Sequence, residues 1–444
     1  MGMTDDRYVA ALEISSSKII AVVGRMRPGG QLDILASEQE KEVESVRYGV
    51  IRNLEEAATR IARIISKLER KPMVAPRKIT SIFVGLSGLS LKSIPSKTLL
   101  TLPDDTEITE EVIKRLLTQA RSTAIDSSLE VIDAVPRFYV VGKQKTMSPV
   151  GTVGNSISTD FDLIVCHPEI KNNLIRTVRD KRGIPIKGVV VTALAVGQIV
   201  LSAEQKRYGC MLVDMGAETT IVSIYRSGHL HYFATLPLGG RNITRDLSTA
   251  NLLEERAEDI KIKAGSAILR DSSASLVSSG VDAHLVSNII IARSEEIVTN
   301  IIKQFDYAEL DPAKDIPGGI VLIGGASKLN GMIELLTEKS GLNVTRGVLP
   351  SYIHLEDVKI SGPEIIEVAS ILYAGASGND ATCLEIPQEL PKMGNPNIEE
   401  EEEEVLPKPK PDNKPKGPSW WGRLKDKAIE AFGSNGEDDS DALD

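Results

Sequence analysis

Two short segments of this sequence repeat one residue pattern, and that repeat constrains the fold more than any other feature. Each copy is an apolar strand that ends in an acidic residue, followed by a turn of small or polar residues and a second apolar strand. The copies are residues 11–20 (ALEISSSKII) and residues 212–221 (LVDMGAETTI). One copy lies near the start of each half of the chain. The repeat therefore predicts two halves of similar design whose hairpins face each other.

The residue types in these hairpins indicate a polyphosphate site. Small turn residues let backbone N–H groups point at an anion, and nearby hydroxyls can bond to phosphate oxygens. The hydroxyls belong to Ser16, Ser17, Thr219 and Thr220. The two acids, Glu13 and Asp214, would hold Mg²⁺ through water. Either hairpin alone is weak evidence, because an acid in a β-turn is usually only a turn former; two together favour a clamp.

A third segment adds a place for a flat base. Residues 318–327 (GGIVLIGGAS) are a short apolar strand that ends in Gly324-Gly325 and leads into a helix. Glycines at such a point allow a ligand to approach the backbone closely.

The rest of the body alternates strand and helix patterns. Strands are predicted at Tyr8–Ile14, Lys18–Gly24, Leu32–Ser37, Ile79–Gly85, Phe161–Cys166, Val189–Thr192, Cys210–Met215, Thr219–Tyr225, His229–Pro237 and Ile320–Ile323, and Ser128–Val135 with Phe138–Gly142 predict a hairpin. Helices are predicted at Leu54–Leu68, Thr109–Ser122, from Pro168, at Ile243–Leu247, Leu253–Ala264, Val281–Phe305 and Pro363–Tyr373. This is a mixed α/β class with three-strand meanders.

Length and composition limit the function classes. A chain of 444 residues exceeds one hydrophobic core, so at least two domains are expected. Of the net charge of −10, residues 385–444 carry −8, so the body is nearly neutral and nothing indicates nucleic acid. Cys166, Cys210 and Cys383 have no metal-ligand or redox spacing, which favours reduced thiols in the cytosol. No secretory signal or transmembrane-length apolar run is present, so we expect a cytosolic protein.

The last sixty residues change character. Repeated prolines and the glutamate run Glu399–Glu404 predict a disordered acidic linker over residues 385–418, and residues 434–444 form an acidic tail. Between them, residues 419–433 predict an amphipathic helix. Its apolar face contains Trp420, Trp421, Leu424, Ala428, Ile429 and Phe432. Paired indoles favour a helix lying in a membrane interface; docking on its own domain or in a protein groove is the alternative.

Taken together, these segments resemble the nucleotide-binding motifs of the actin-like ATPase superfamily. The resemblance implies duplicated ribonuclease-H-type lobes around a cleft that binds ATP and Mg²⁺. Residues 11–20 match the first phosphate loop, 211–221 the second and 318–328 the adenosine motif. Gly239-Gly240-Arg241 resembles the turn that passes beside the nucleotide, and Lys261 matches a position along the ribose and adenine. The implied ATP-binding residues are Ser15, Ser16, Ser17, Lys18, Asp214, Gly216, Ala217, Glu218, Thr219, Thr220, Gly239, Gly240, Lys261, Gly324, Gly325, Ala326 and Lys328, with Mg²⁺ held through water by Glu13 and Asp214.

Further segments are similar to one branch of that superfamily, the FtsA family of bacterial cell-division proteins. They are residues 46–51 (VRYGVI), 84–88 (VGLSG), 149–154 (PVGTVG) and 257–267. The resemblance implies a first lobe over 5–84, 166–206 and 361–384, an inserted α+β subdomain over 85–165, and a second lobe over 207–360 with a subdomain at about 242–311. The implied function is an ATP-binding protein that polymerises on the cytoplasmic face of the inner membrane and anchors the division ring.

The implied partners follow from the same resemblance. They are the C-terminal tail of the tubulin-like protein FtsZ, near residues 242–311, other division proteins near residues 85–160, further copies of the chain, and membrane lipid.

Departures from the superfamily pattern concern hydrolysis. Glu13 stands where an Asp is usual and Ser15 where a Gly is usual, and Thr192 occupies the stretch where hydrolytic relatives place Glu, Asp or Gln. ATP binding is therefore better supported than hydrolysis, which is expected to be slow or absent. A small-molecule kinase, a pilus-assembly adaptor and a chaperone ATPase of the same superfamily are the alternatives. The kinase needs a catalytic acid, the adaptor leaves the lipid-seeking helix unexplained, and the chaperone needs a substrate domain after residue 385.

Overall fold

The two repeated segments form β-hairpins in separate sheets of a computed structural model. It describes residues 6–41, 44–269, 282–358, 360, 362–378 and 381–387. Up to the first long helix and the strand after it, the elements are β1 (Arg7–Ile14), β2 (Lys18–Met26), β3 (Leu32–Lys41), β4 (Val46–Arg47), β5 (Val50–Ile51), α1 (Leu54–Glu69), β6 (Lys78–Ile79) and β7 (Ile82–Leu86). The elements that follow are β8 (Lys92–Glu107), α2 (Glu110–Arg121), β9 (Glu130–Val141), β10 (Gln144–Thr146), β11 (Val153–Cys166) and α3 (Pro168–Ile175), which a π-helical turn extends over Arg176–Asp180.

The second half contains the other hairpin. Its elements are β12 (Ile186–Val191), α4 (Thr192–Val200), α5 (Ala203–Tyr208), β13 (Cys210–Met215), β14 (Thr220–Arg226), β15 (His229–Leu236), α6 (Gly240–Ser248), α7 (Glu254–Ala264), α8 (Ala283–Ile302), α9 (Gln304–Tyr307), α10 (Pro312–Asp315), β16 (Ile320–Ile323), a 3₁₀ turn (Ala326–Lys328), α11 (Met332–Ser340), β17 (Val344–Arg346), β18 (Ile353–Asp357), α12 (Gly362–Ala376) and β19 (Leu384–Glu385).

The first lobe is built on a sheet in the order β12-β7-β1-β2-β3-β18. The meander β1–β2–β3 is antiparallel, whereas β7 and β12 add in parallel beside β1. Helix α1 begins where the Asn53 side chain accepts a hydrogen bond from the Glu56 N–H, and it buries Ile61, Ile64 and Leu68. The predicted period of its apolar residues is confirmed, because those positions lie on one face of the helix.

The second sheet is larger and joins two parts of the chain. Its order is β10-β9-β11-β8-β15-β14-β13-β16-β17. The strands β8 to β11 interrupt the first lobe in sequence, yet β8 pairs with β15 through Lys92 and Ala234. Behind this junction the Arg137 guanidinium makes two hydrogen bonds of 2.8 Å to the buried carboxylate of Asp162. The inserted strands thus share a sheet with the second lobe while their covalent connections lie in the first.

Three hydrophobic clusters accompany these elements. The first packs against the first sheet and also includes residues of β13, β14, β15 and β16. The second holds α6, α7, α8 and α11 against β13, β14 and β16, and a smaller one lies between α2 and β8, β9 and β11. The Thr109 hydroxyl caps α2 by accepting a hydrogen bond from the Val112 N–H.

Some local predictions are wrong. Residues 128–142 are not a hairpin, since β9 runs unbroken from Glu130 to Val141 and pairs with β11. Pro136 sits at a register shift of that pair, where the missing N–H is tolerated and the strand bends instead of turning back. The predicted strand Ile79–Gly85 is divided, because Lys78–Ile79 pairs with Leu384–Glu385 and Ile82–Leu86 joins the first sheet. The sequence patterns did not predict the long strand β8.

Candidate functional site

The two repeated hairpins close their turns in the same way. In the first, the Ser15 N–H donates to the Lys18 carbonyl at 3.0 Å; in the second, the Gly216 N–H donates to the Thr219 carbonyl at 2.8 Å. Glu13 and Asp214 occupy equivalent positions, each paired across its hairpin with an isoleucine. The hydroxyl of Ser15 adds a bond of 2.9 Å to the same Lys18 carbonyl, which holds this turn without a glycine.

The two turns lie beside each other in the fold. Arg241, at the start of α6, contacts both of them. Its guanidinium donates to the Ser16 carbonyl at 3.0 Å, and its backbone N–H donates to the Ala217 carbonyl at 2.7 Å. The pKa of Lys18 is raised despite burial, chiefly by the charge of Glu13, and the charge of Asp214 also contributes. Both acids therefore lie close enough to Lys18 for their charges to act on it.

The interior of this cleft is rich in negative charge. Burial raises the pKa of both Glu13 and Asp214 well above the ordinary carboxyl range, and for each the charge of Glu367 is the next cause. Burial also raises the pKa of Glu367 itself, while Lys18 opposes that rise. Lys328 opposes it as well. Such a cluster of buried carboxyl groups favours binding of a proton or a cation.

Two carboxylate oxygens and one hydroxyl in the cleft are buried without a hydrogen-bond partner among the described residues. Glu13 Oε2 and Asp214 Oδ1 are buried and have no hydrogen-bond partner in the described part of the chain. The same holds for Thr192 Oγ1. Buried polar atoms are rarely left unbonded, so these atoms are suited to face bound water, an ion or a ligand. Hydrated Mg²⁺ fits this oxygen donor set. Among the described residues, no three His, Cys, Asp or Glu side chains lie close enough together to hold a metal directly.

The glycine-rich segments form one wall of the cleft. Gly324 has a φ of +87°, and a Cβ there would lie 2.4 Å from Asp214 Oδ1. Gly239 packs against the second turn, since a Cβ on it would lie 2.6 Å from the Ala217 carbonyl oxygen. Gly325 faces open space, with no described atom within 4 Å of an ideal Cβ. This arrangement leaves open space at Gly325 that no described side chain fills.

Lys261 lies next to this wall. Its ammonium donates to the Gly240 carbonyl at 3.1 Å and to the Glu258 carboxylate at 2.7 Å. Burial lowers the pKa of Lys261, and the charge of Glu258 opposes that effect. A Cβ on Gly240 would lie 3.1 Å from the Ala326 Cβ, so these residues border the same space.

Several predicted phosphate-binding side chains have protein partners. Ser16 Oγ accepts a bond of 3.0 Å from the Gly49 N–H, and Thr220 Oγ1 donates to the Leu238 carbonyl at 2.7 Å. The carboxylate of Glu218 points at arginines instead of at the space between the turns. Lys328 pairs with Glu364 at 2.6 Å, while Ser17 is exposed.

Glu367 was not predicted as a site residue, and Arg241 was named only as part of the turn Gly239-Gly240-Arg241, without a binding role. A signal for Glu367 existed, because it interrupts the buried run Ile365, Ile366 and Val368 in α12 with an acid. Nothing local in the sequence distinguishes Arg241 from a solvated helix residue, since its two carbonyl partners come from different halves of the chain.

The predicted membrane residues Trp420, Trp421, Leu424, Ala428, Ile429 and Phe432 lie outside the described residues, as does the linker before them. Within the described ranges, no helix combines the length and the hydropathy needed to cross a bilayer.

Comparison with known proteins places the chain among cell-division proteins. The family described as Cell division protein FtsA matches residues 211–376, and the SHS2 domain inserted in FtsA matches residues 88–165. A Porphyromonas gingivalis protein named Cell division protein FtsA is 31% identical over 334 residues, covering 72% of this chain and 68% of its own length. The protein of that name from Pseudomonas aeruginosa is 28% identical, covering 86% of this chain and 92% of its own length.

A solved structure supports the fold. The PilM–PilN type IV pilus biogenesis complex contains a chain that superposes with a TM-score of 0.61, covering 83% of this chain and 99% of its own length. Its sequence identity to this chain is 17%, so the likeness concerns the fold alone. The predicted actin-like α/β fold is confirmed by these comparisons and by the sheet topology.

Proposed function

The chain belongs to the FtsA family of cell-division proteins, and from that premise we propose that it binds Mg·ATP between its two lobes, polymerises on the inner face of the membrane and anchors the division machinery there. The observation that carries the proposal is the meeting of two equivalent acidic turns at Arg241 and Lys18, with unbonded carboxylate oxygens between them.

The cleft residues fit this ligand. The Ser15 and Gly216 N–H groups close the turns, so the phosphates would contact the other backbone N–H groups there. The Lys18 ammonium, which donates to the Glu364 carbonyl at 2.7 Å, would be a further phosphate partner. Glu13 and Asp214 would hold hydrated Mg²⁺ through their unbonded oxygens. The metal supplies the positive charge that brings a polyphosphate next to three carboxylates. The open surface at Gly325, with Ala326 and Lys261 at its border, would take the adenosine.

Hydrolysis is proposed to be slow. Thr192 begins α4, and its buried hydroxyl has no hydrogen-bond partner among the described residues. A hydroxyl is a poor general base at neutral pH, because its conjugate acid holds its proton too weakly to take one from water. We therefore assign the protein an anchoring role first and a weak ATPase activity at most.

A docking groove for the C-terminal tail of FtsZ is proposed on the subdomain at about 242–311. Between α6 and α8 lies an open cavity of about 290 Å³. It is lined by Asp246, Thr249, Ile289, Ala292, Arg293 and Glu296. Ile289 and Ala292 supply its apolar lining, and Asp246, Arg293 and Glu296 supply charges of both signs. This combination is suited to a short peptide that has an apolar anchor and polar flanks.

Attachment to lipid is proposed to occur through residues 419–433. A single interfacial helix binds a bilayer weakly and reversibly. A filament that presents many such helices gains about 10²–10⁴ in avidity without any new contact. Binding of ATP in the cleft would favour the polymerising shape, so nucleotide, filament and membrane become linked.

Electron microscopy of the purified full-length chain on lipid monolayers tests this proposal. Filaments are expected with ATP and lipid together, and not with ADP or without lipid. The control is a chain ending at residue 418, which keeps both lobes and removes the proposed helix. Filaments of that shortened chain on the monolayer, or ATP-independent assembly of the full chain, would contradict the proposal. Release of ADP that depends on an added sugar would instead favour the kinase alternative.

A further inference from the structure

A buried carboxylate, that of Glu218, has hydrogen-bond partners in both lobes. The Glu218 side chain has no exposed surface, and its Oε1 atom accepts from three arginines. The distances are 2.8 Å to Arg47, 3.0 Å to Arg241 and 2.9 Å to Arg245. The other oxygen, Oε2, accepts from the Tyr48 N–H at 2.7 Å. We call these five residues the Glu218 latch.

The partners of Glu218 come from both sides of the cleft. Arg47 and Tyr48 belong to the segment between β3 and α1 in the first lobe, whereas Arg241 and Arg245 lie on α6 in the second. Arg241 extends the link, because its second guanidinium nitrogen donates to the Ser16 carbonyl in the first turn. The neighbouring Gly49 N–H donates to the hydroxyl of Ser16. One acid and its arginines therefore connect the second phosphate turn to the first.

Because the Glu218 carboxylate is buried, its stability depends on partners from both lobes. Taking a carboxylate out of water is costly, and the cost is recovered only when charges and N–H donors surround it. Burial by itself would raise the pKa of Glu218, yet hydrogen bonds from Tyr48, Arg241 and Arg47 hold it below its usual value. Separating the lobes would remove the Arg47 and Tyr48 bonds together. The charged latch is thus satisfied only in the closed arrangement.

We propose that Glu218 is a positioning residue that holds the two phosphate turns in register by latching the lobes together through Arg47, Tyr48, Arg241 and Arg245. The latch acts before nucleotide arrives, and its consequence for affinity rests on the ATP binding proposed above. Without it, the nucleotide-free lobes sample open arrangements, and Mg·ATP must close them as it binds.

The test compares interlobe distances in the nucleotide-free, full-length protein. Spin labels on cysteines introduced at Ser66 in α1 and Thr337 in α11, both exposed, report the separation of the lobes by double electron–electron resonance. The three native cysteines are buried, which protects them from the labelling reagent. Glu218→Gln is expected to broaden the distance distribution, and Arg47→Met is expected to do so to a smaller extent, because it removes a single cross-lobe bond.

Asp33→Asn is the matched control. Asp33 is also a buried carboxylate that contacts two arginines, Arg25 and Arg27, but the three residues lie in β2, β3 and the turn between them within one lobe. This variant should lower thermal stability and leave the interlobe distance as in the wild type. A distribution that stays at the wild-type shape in folded Glu218→Gln and Arg47→Met would overturn the latch.

Calorimetric titration with Mg·ATP distinguishes a failure of the Glu218 latch from a failure of the proposed ATP site. Mg·ATP should bind Glu218→Gln about tenfold more weakly than the wild type, and saturating Mg·ATP should return its distance distribution to the wild-type shape. Equal affinity in a variant with broadened distances would overturn the positioning role. If the wild-type protein itself binds no Mg·ATP, the proposed function fails, while the nucleotide-free distances still decide whether the latch exists.

Discussion

Replacing Asp214 with Asn should make the nucleotide-free protein more stable and its Mg·ATP complex weaker. Asp214 Oδ1 has no hydrogen-bond partner in the described ranges, so an amide at this position breaks no hydrogen bond to that atom. The change removes a negative charge that faces Glu367 and Glu13 in a buried setting. Relief of such functional strain typically adds about 0.5–2 kcal/mol to the free energy of unfolding. For lobes of this size, that corresponds to a rise in Tm of about 1–8 °C.

The loss of affinity has a separate cause. An amide carries no charge to attract a hydrated Mg²⁺, and loss of a residue that orients a metal typically costs about 10–100-fold in affinity. That factor corresponds to about 1.4–2.7 kcal/mol of binding free energy. Thermal unfolding without ligand and calorimetric titration with Mg·ATP measure the two effects on the same preparation.

A control distinguishes this site from any buried acid. Asp33→Asn also removes a buried carboxylate, but hydrogen bonds and charges from Arg25 and Arg27 satisfy that one, so its loss should lower Tm and leave Mg·ATP affinity unchanged. The proposed role of Asp214 as a strained magnesium-holding carboxylate is refuted if Asp214→Asn lowers the nucleotide-free Tm, or if the Mg·ATP affinity of this variant equals that of the wild type.

Three further predictions concern pH, peptide and lipid. The pKa values of Glu13, Asp214 and Glu367 are raised in the folded state, so their contribution to stability is present at pH values below about 4 and is lost as pH rises through the folded values. Glu367→Gln should therefore flatten the fall in nucleotide-free Tm as pH rises above the ordinary carboxyl pKa of about 4. An unchanged slope would show that the Glu367 pKa is the same in the folded and unfolded states. Arg293→Glu, in the lining of the proposed groove, should weaken binding of an FtsZ C-terminal peptide at least about tenfold, as measured by fluorescence anisotropy. Lys314→Glu, at an exposed position, is its control. Equal loss of peptide affinity in both variants would indicate a general charge effect. Replacing Trp420, Trp421 and Leu424 with Glu should abolish sedimentation with liposomes. Replacing Arg423, Lys427 and Glu430 on the opposite face with Gln should retain the apolar contribution, and sedimentation of the first variant at the wild-type level would exclude the proposed membrane face.

Local patterns were sufficient for much of the fold. The meander of β1, β2 and β3 follows from apolar runs divided by turn residues, and α1 follows from its single apolar face. The equivalence of the two hairpins was readable because the acid, the turn and the following strand are contiguous in sequence. Sequence patterns failed to predict strands whose pairing partners are distant in the sequence. The strand β9 continues through Pro136 because β11 supplies its hydrogen bonds, and nothing within residues 128–142 indicates that partner.

The sequence by itself determined that two acidic turns exist, that glycines follow a buried strand, and that an amphipathic segment ends the chain. Only the tertiary structure decided which charges meet. It brings Glu367 from the last long helix to Glu13 and Asp214, and it directs Glu218 away from the phosphate space toward arginines of both lobes. The physical reason is that periodicity reports which face of an element is buried, whereas the protonation and bonding of a buried acid depend on groups that the fold brings from elsewhere in the chain.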